Sequence, residues 1–347
     1  MRNIKGRRLR GTRAVGALVA VALMVAVEVH SSRSARGAED VSASIGTAPS
    51  WYGAESPWNT RIPAGARVDA SSQRYVSLLT GTGYDINLNT FDWTPSVYYA
   101  TRSTPIRTVI VRDAWSTWRI RIPIPDGAAP SPEGAANGDA YMVVIDPSRG
   151  CEYDFWKMRQ EKGQWRSTNQ ATFALEGSGV HEPWAVRVAS FALGAGLILP
   201  RDLERSRIEH ALVVALPKEF VDPSVTAPAQ RSDGAARPGT GIPVGTLFQL
   251  DPALNLDTFK PRLSTPFKKI ARALQQYGMY VGDSARGAIA LSAQSTVSMS
   301  GYTYPWPRYA GLPPGLIPHL RVVQSPVPRP LLERWSGPRC ERRVKIG

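Results

Sequence analysis

The segment from Ala140 to Leu175 most constrains what this chain can fold into. AYMVVIDP, GCEYDFWKMR and GQWRSTNQATFAL read as three successive β-strands, each apolar or alternating and separated by short turns. Alternation within the second puts Cys151, Tyr153 and Phe155 on one face and Glu152, Asp154 and Trp156 on the other. Two carboxylates beside an indole suit a sheet that lines a carbohydrate groove. The same pattern also describes a strand face that simply meets water.

The rest of the chain extends this β-rich reading. Strands are predicted over 106–112, 117–124 and 208–216. In the second of these, Trp118, Ile120, Ile122 and Ile124 alternate with Arg119 and Arg121, so one face is buried and the other cationic. Short helices are predicted at 71–79 and in the middle of 176–207, the latter ended by Gly194–Gly196. The strongest helix is PFKKIARALQQY, 266–277, with Phe267, Ile270, Ala271, Leu274 and Tyr277 on one face and Gly278 as its stop. Residues 126–139 and 223–241 read as turn-rich loops. After Tyr302, proline and aromatic residues predict a surface wrap without regular structure. The expected architecture is a mainly β, predominantly antiparallel sandwich of jelly-roll type with a few short helices, spanning 57–319.

Both ends carry charge. MRNIKGRRLRGTR has six basic residues and no acid, and an apolar run from Ala14 to Val27 follows, so residues 1–38 are expected to be a secretory signal peptide. That run is short for a membrane span, and no span is expected after cleavage. Residues 39–56 read as a linker and 320–347 as a basic tail. The tail suits attachment to an anionic cell wall, or simple solvation. Of the formal net charge of +14, +7 lies in the first 38 residues and +5 in the last 28. The remaining body is near neutral and has no basic helix, which argues against nucleic acid as a partner. Cys151 and Cys340 are the two cysteines, and the oxidising compartment that export implies favours a disulfide over a reactive thiol.

No spacing typical of metal ligands occurs, nor a nucleophile elbow, a phosphate loop or a dinucleotide fingerprint; no cofactor is expected. Glu152 and Asp154 are the leading catalytic candidates, with Asp283 to share acid, base or nucleophile roles. His210 lies in an apolar strand pattern and His181 in the loop GSGVHEPW; either is placed to orient a substrate or tune a carboxyl. Trp156, His181, Trp184 and Asp233 are the substrate-binding candidates. Indoles stack on sugar faces and also fill sandwich cores.

EYDFWK resembles the E-x-D-x-x-E strand of laminarinase-like glycoside hydrolases, but Lys157 stands where their second glutamate would be, and retaining hydrolysis needs two carboxyl groups. IEHALVV, Ser232–Gly234, VGTLFQLDPALN and IARALQQYGMYVGD, with GCEYDFW and GAGLILPRDLE before them, resemble an actinobacterial family of secreted β-rich proteins of unassigned activity. That resemblance implies export and a shared fold, and it directs attention to Asp154, His210, Asp233 and Asp283. The expected function is a secreted polysaccharide-active enzyme, a glycoside hydrolase acting on extracellular or cell-wall glycan. The alternatives are a polysaccharide lyase, with His181 or Tyr153 as base and Arg119 and Arg121 as cations, and a non-catalytic glycan-binding or envelope protein. Sequence leaves the oligomeric state open.

Overall fold

The stretch 163–175, which reads as one strand, divides at Thr168 and contributes to two sheets. β8 (Gln164–Ser167) joins one and β9 (Asn169–Ala174) the other. The reason is visible at the junction: Ser167 donates its hydroxyl to the carbonyls of Trp156 and Asn169, which turns the chain between the ladders. The computed structural model describes residues 51–132, 138–334, 339–341 and 343–346. The expected signal peptide and the linker up to residue 50 lie outside them. The last six residues of that linker do not behave as one, because Trp51, Tyr52 and Ser56 are buried.

Strands dominate the described residues, in four sheets. A four-stranded sheet has the order β2 (Ser96–Tyr99), β5 (Met142–Asp146), β6 (Cys151–Trp156), β9. A five-stranded sheet runs β18 (Val344–Lys345), β4 (Thr117–Pro123), β3 (Ile106–Arg112), β8, β7 (Arg159–Glu161). The largest has seven strands: β16 (Gly311–Leu312), β1 (Ile86–Asn89), β15 (Ile289–Ser292), β10 (Leu212–Pro217), β14 (Met279–Ala285), β13 (Leu247–Leu250) and β17 (Leu320–Val323). β11 (Val221–Val225) and β12 (Ile242–Val244) form a small parallel ribbon. The described residues also form three α-helices: α1 (Ser72–Thr80), α2 (Pro200–Glu204) and α3 (Thr265–Gln276). α1 and α3 fall where periodicity predicts them. Ile270, Ala271 and Leu274 of α3 are buried, and Gly278 ends it with a positive φ of 76°. The helix expected near Gly194–Gly196 does not form; 176–199 is irregular chain, buried continuously from Ala189 to Leu199.

The four-stranded sheet separates two cores. Met142, Val144, Cys151, Tyr153 and Phe155 face the smaller core, where they meet Val109, Val111, Ile120 and Ile122 of the five-stranded sheet. Val143, Ile145, Ala171 and Phe173 face the larger core, which the seven-stranded sheet and α3 fill. Residue alternation thus serves both sides of β5, which is buried throughout. The expected jelly-roll sandwich meets this arrangement only in part. Two sheets do enclose the smaller core, but a jelly roll is antiparallel, whereas β2 runs parallel to β5 and β3 to β8, and β1–β15 and β10–β14 are parallel in the large sheet.

The C-terminal segment is built into the fold. β17 pairs with β13 and β18 with β4, and Cys340 is disulfide-bonded to Cys151 across a sequence separation of 189. The surface wrap without regular structure expected after Tyr302 gives way in part, because Leu320, Val322 and Val323 are apolar and buried as a strand. All described residues fall in one compact unit, Pro49–Gly347.

Candidate functional site

β6 places Glu152 and Asp154 side by side as alternation predicts, but that face is no groove. Both residues are wholly enclosed, between Val143, Ile145, Ala171 and Phe173 of the neighbouring strands and the irregular segment above. The Tyr52 hydroxyl donates to Glu152 Oε2 at 2.6 Å and the Gly194 amide to Glu152 Oε1 at 2.8 Å, while the Leu193 amide donates to Asp154 Oδ2 at 2.7 Å. Position 194 must be glycine here, since a Cβ would lie 2.8 Å from the Trp51 ring and 2.9 Å from Glu152 Oε1. Burial raises both carboxyls. Asp154, which also feels the charge of Glu152, is pushed well above the usual carboxylate range. The pair organises backbone, through the amides of Leu193 and Gly194.

A second cluster lies at the end of β14 and is partly open. Asp283 sits opposite Ala215 of β10, and its carboxyl is pushed up to about 7 by burial, with repulsion from Asp139 and Asp233 added and attraction to Arg187 opposing. Arg187 is buried, donates from Nη2 to the Leu193 carbonyl at 3.0 Å, and leaves Nε without a partner among the described residues. Gly282 makes room for it: a Cβ there would meet the Arg187 side chain at 3.2 Å and Val213 at 2.4 Å. Asp233, from the 223–241 loop, accepts from the Ser284 hydroxyl at 2.8 Å and has Lys218 at 3.7 Å, while its Oδ1 has no hydrogen bond. Asp139 accepts from the Trp156 indole at 3.0 Å, and burial raises its carboxyl. Tyr141 lies among the same charges. Its hydroxyl is held well above its ordinary value by burial first and by Asp283 and Asp139 next.

Of the sequence candidates, Asp233, Asp283 and, through Asp139, Trp156 thus converge, and Glu152 and Asp154 support them from below. His210 does not join them. β10 begins only at Leu212, and His210 precedes it, about 16 Å along the strand from the level of Asp283 at roughly 3.3 Å per residue. Its Nε2 is 3.1 Å from Asp202 Oδ2 and its Nδ1 2.9 Å from the Ala211 carbonyl. Burial lowers the imidazole, but the Asp202 charge outweighs it and the net shift is upward. His181 is enclosed instead of standing in an open loop, with Nδ1 2.8 Å from the Glu182 carbonyl and its ring edge-on to Phe173. Trp184 is exposed, with the Arg231 guanidinium 4.5 Å from its ring centre.

Sequence reasoning missed Arg187, Asp139 and Tyr141. Arg187 had a signal, a lone cation within the mainly apolar run 185–199, which only a buried partner makes tolerable. The described residues hold no group of three or more His, Cys, Asp or Glu that could bind a metal ion. No protein-family model, curated protein or solved structure matches the chain.

Proposed function

We propose that this is a secreted polysaccharide-active enzyme, a glycoside hydrolase, whose reaction centre is the Asp283 cluster. The observation that carries the reading is an aspartic acid with its pKa raised to about 7, beside a second, hydrogen-bonded aspartate in a partly open site. Hydrolysis of a glycosidic bond needs one carboxyl that is protonated near neutral pH and one carboxylate. Asp283 takes the role of acid. Asp233, held by Ser284 and with its charge offset by Lys218, takes that of base or nucleophile. Arg187 orients the acids, and Trp156, fixed by Asp139, supplies a ring face for the sugar. Glu152 and Asp154, first candidates by sequence, become positioning residues. Export, on the strength of the N-terminal sequence, and retention at the cell wall, on that of the basic C-terminal segment, remain part of the proposal.

The test is incubation of the protein with neutral and acidic polysaccharides, followed by mass measurement of the products. Oligosaccharides of hydrated mass are expected, and Asp283→Asn is expected to reduce their rate by at least 100-fold. Products lighter by one water would replace hydrolysis with β-elimination, and no product from any polymer would overturn the enzyme reading.

A further inference from the structure

A second feature stands on the surface near the Asp283 cluster. Trp184 is three residues from Arg187, and the Arg231 that covers it is two from Asp233. Trp184 is 54 % exposed and meets the edge of Trp115, itself 78 % exposed, with ring centres 5.6 Å apart. Trp115 is held rigidly there: Asp113 Oδ1 accepts from the backbone N–H groups of Trp115 at 2.8 Å and Ser116 at 2.6 Å, locking the turn between β3 and β4. Two neighbouring indoles kept in water by a fixed turn cost free energy that a soluble surface ordinarily avoids.

Beside Trp115 lies an open depression of about 350 Å³, lined by Arg112, Asp113, Trp115, Ser116, Lys345 and Ile346. That size is at the lower end of ligand sites, roughly 300–1,000 Å³. Two of its lining residues, Lys345 and Ile346, come from the C-terminal segment: β18 pairs with β4, Ile346 donates its N–H to the Thr117 carbonyl at 3.0 Å, and the Cys151–Cys340 disulfide anchors the approach. Among the lining residues Arg112 and Lys345 are cationic and the one acid, Asp113, is engaged by the turn, while Arg231 lies over Trp184. Exposed indoles beside hydrogen-bonding hydroxyls and a net positive charge match a sugar chain that bears carboxylate or other anionic groups.

We propose that Trp184, Trp115 and this depression form an accessory subsite for an anionic saccharide segment, completed by the disulfide-anchored C-terminal strand. The proposal rests on the polysaccharide reading above and names the class of polymer. Electrophoresis of the chain 39–347 through gels containing polygalacturonate or dextran tests it. Retardation is expected in polygalacturonate and not in dextran, with at least tenfold weaker binding for the Trp115→Ala, Trp184→Ala double variant and severalfold weaker for Lys345→Glu. Both replace exposed groups, so unchanged melting temperatures confirm intact folds. Equal retardation of the double variant would overturn the subsite, leaving only diffuse attraction of a basic protein, as would no retardation in either gel. Loss of the double variant's binding to anionic phospholipid vesicles but not to polygalacturonate would overturn it in favour of a lipid surface. Retardation without hydrolysis of any polymer supports the subsite and strikes down the enzyme reading alone, whereas hydrolysis without retardation does the reverse.

Discussion

Asp154 reaches Arg187 through a single residue: the Leu193 amide donates to Asp154 Oδ2 at 2.7 Å, and the Leu193 carbonyl accepts from Arg187 Nη2 at 3.0 Å. The buried acid pair on β6 therefore fixes the cation that faces Asp283. A carboxylate pair that alternation marks as catalytic acts here one layer below the site, by holding backbone.

Burial and the Glu152 charge favour the protonated form of Asp154, and an amide is that form's closest mimic. Asp154→Asn should leave stability within about 1 kcal/mol, whereas Asp154→Ala, which strips the Leu193 amide of its acceptor, should cost about 2–3 kcal/mol. Denaturant midpoints at pH 7 distinguish the two, and equal losses would contradict the protonated state.

Asp283 and Glu333 are both raised to about 7, chiefly by burial. A carboxyl whose folded pKa exceeds its unfolded value binds its proton more tightly in the native state, so stability falls as pH rises from about 4 to 7 and levels off above. Asp283→Asn and Glu333→Gln should each flatten part of that slope. Unfolding free energies measured at pH 5 and 7.5 give the comparison, and unchanged slopes in both variants would remove the assignment.

His210 shifts in the opposite chemical sense, since its raised pKa means that its cation is favoured in the fold by Asp202. Its contribution is full below the unfolded value near 6.5 and is lost as pH rises through the folded one. His210→Ala should lower stability by about 3 kcal/mol at pH 6, because it leaves Asp202 a buried, poorly paired charge. Turnover of polysaccharide should be unchanged at a temperature where the variant is folded. A large fall in turnover would return His210 to the reaction centre.

The disulfide closes a loop of 189 residues, for which loop-closure entropy sets a ceiling of about 5 kcal/mol. Cys340→Ser should cost about 2–5 kcal/mol and free β18 from β4. Hydrogen exchange at Val344 and Ile346 reports that release directly. Full protection of Ile346 in the variant would show that strand pairing alone holds the segment.

How much was legible in the sequence can be read element by element. Alternation located β3, β4 and β5 to within a residue or two and β6 to within three, and the 3.6-residue period located α1 and α3, because these signals are local and arise from which side of an element meets water. The cysteine pair was legible from its number and its implied compartment. What no local pattern carries is which second layer covers a face. Glu152 and Asp154 share a face in sequence and in structure, yet only packing of 193–194 and Tyr52 over β6 turned that face into interior. Likewise Asp139, Arg187, Asp233 and Asp283 stand far apart along the chain, and it is the parallel pairing of β10 with β14 and the course of two long loops that brings their charges within reach of one another.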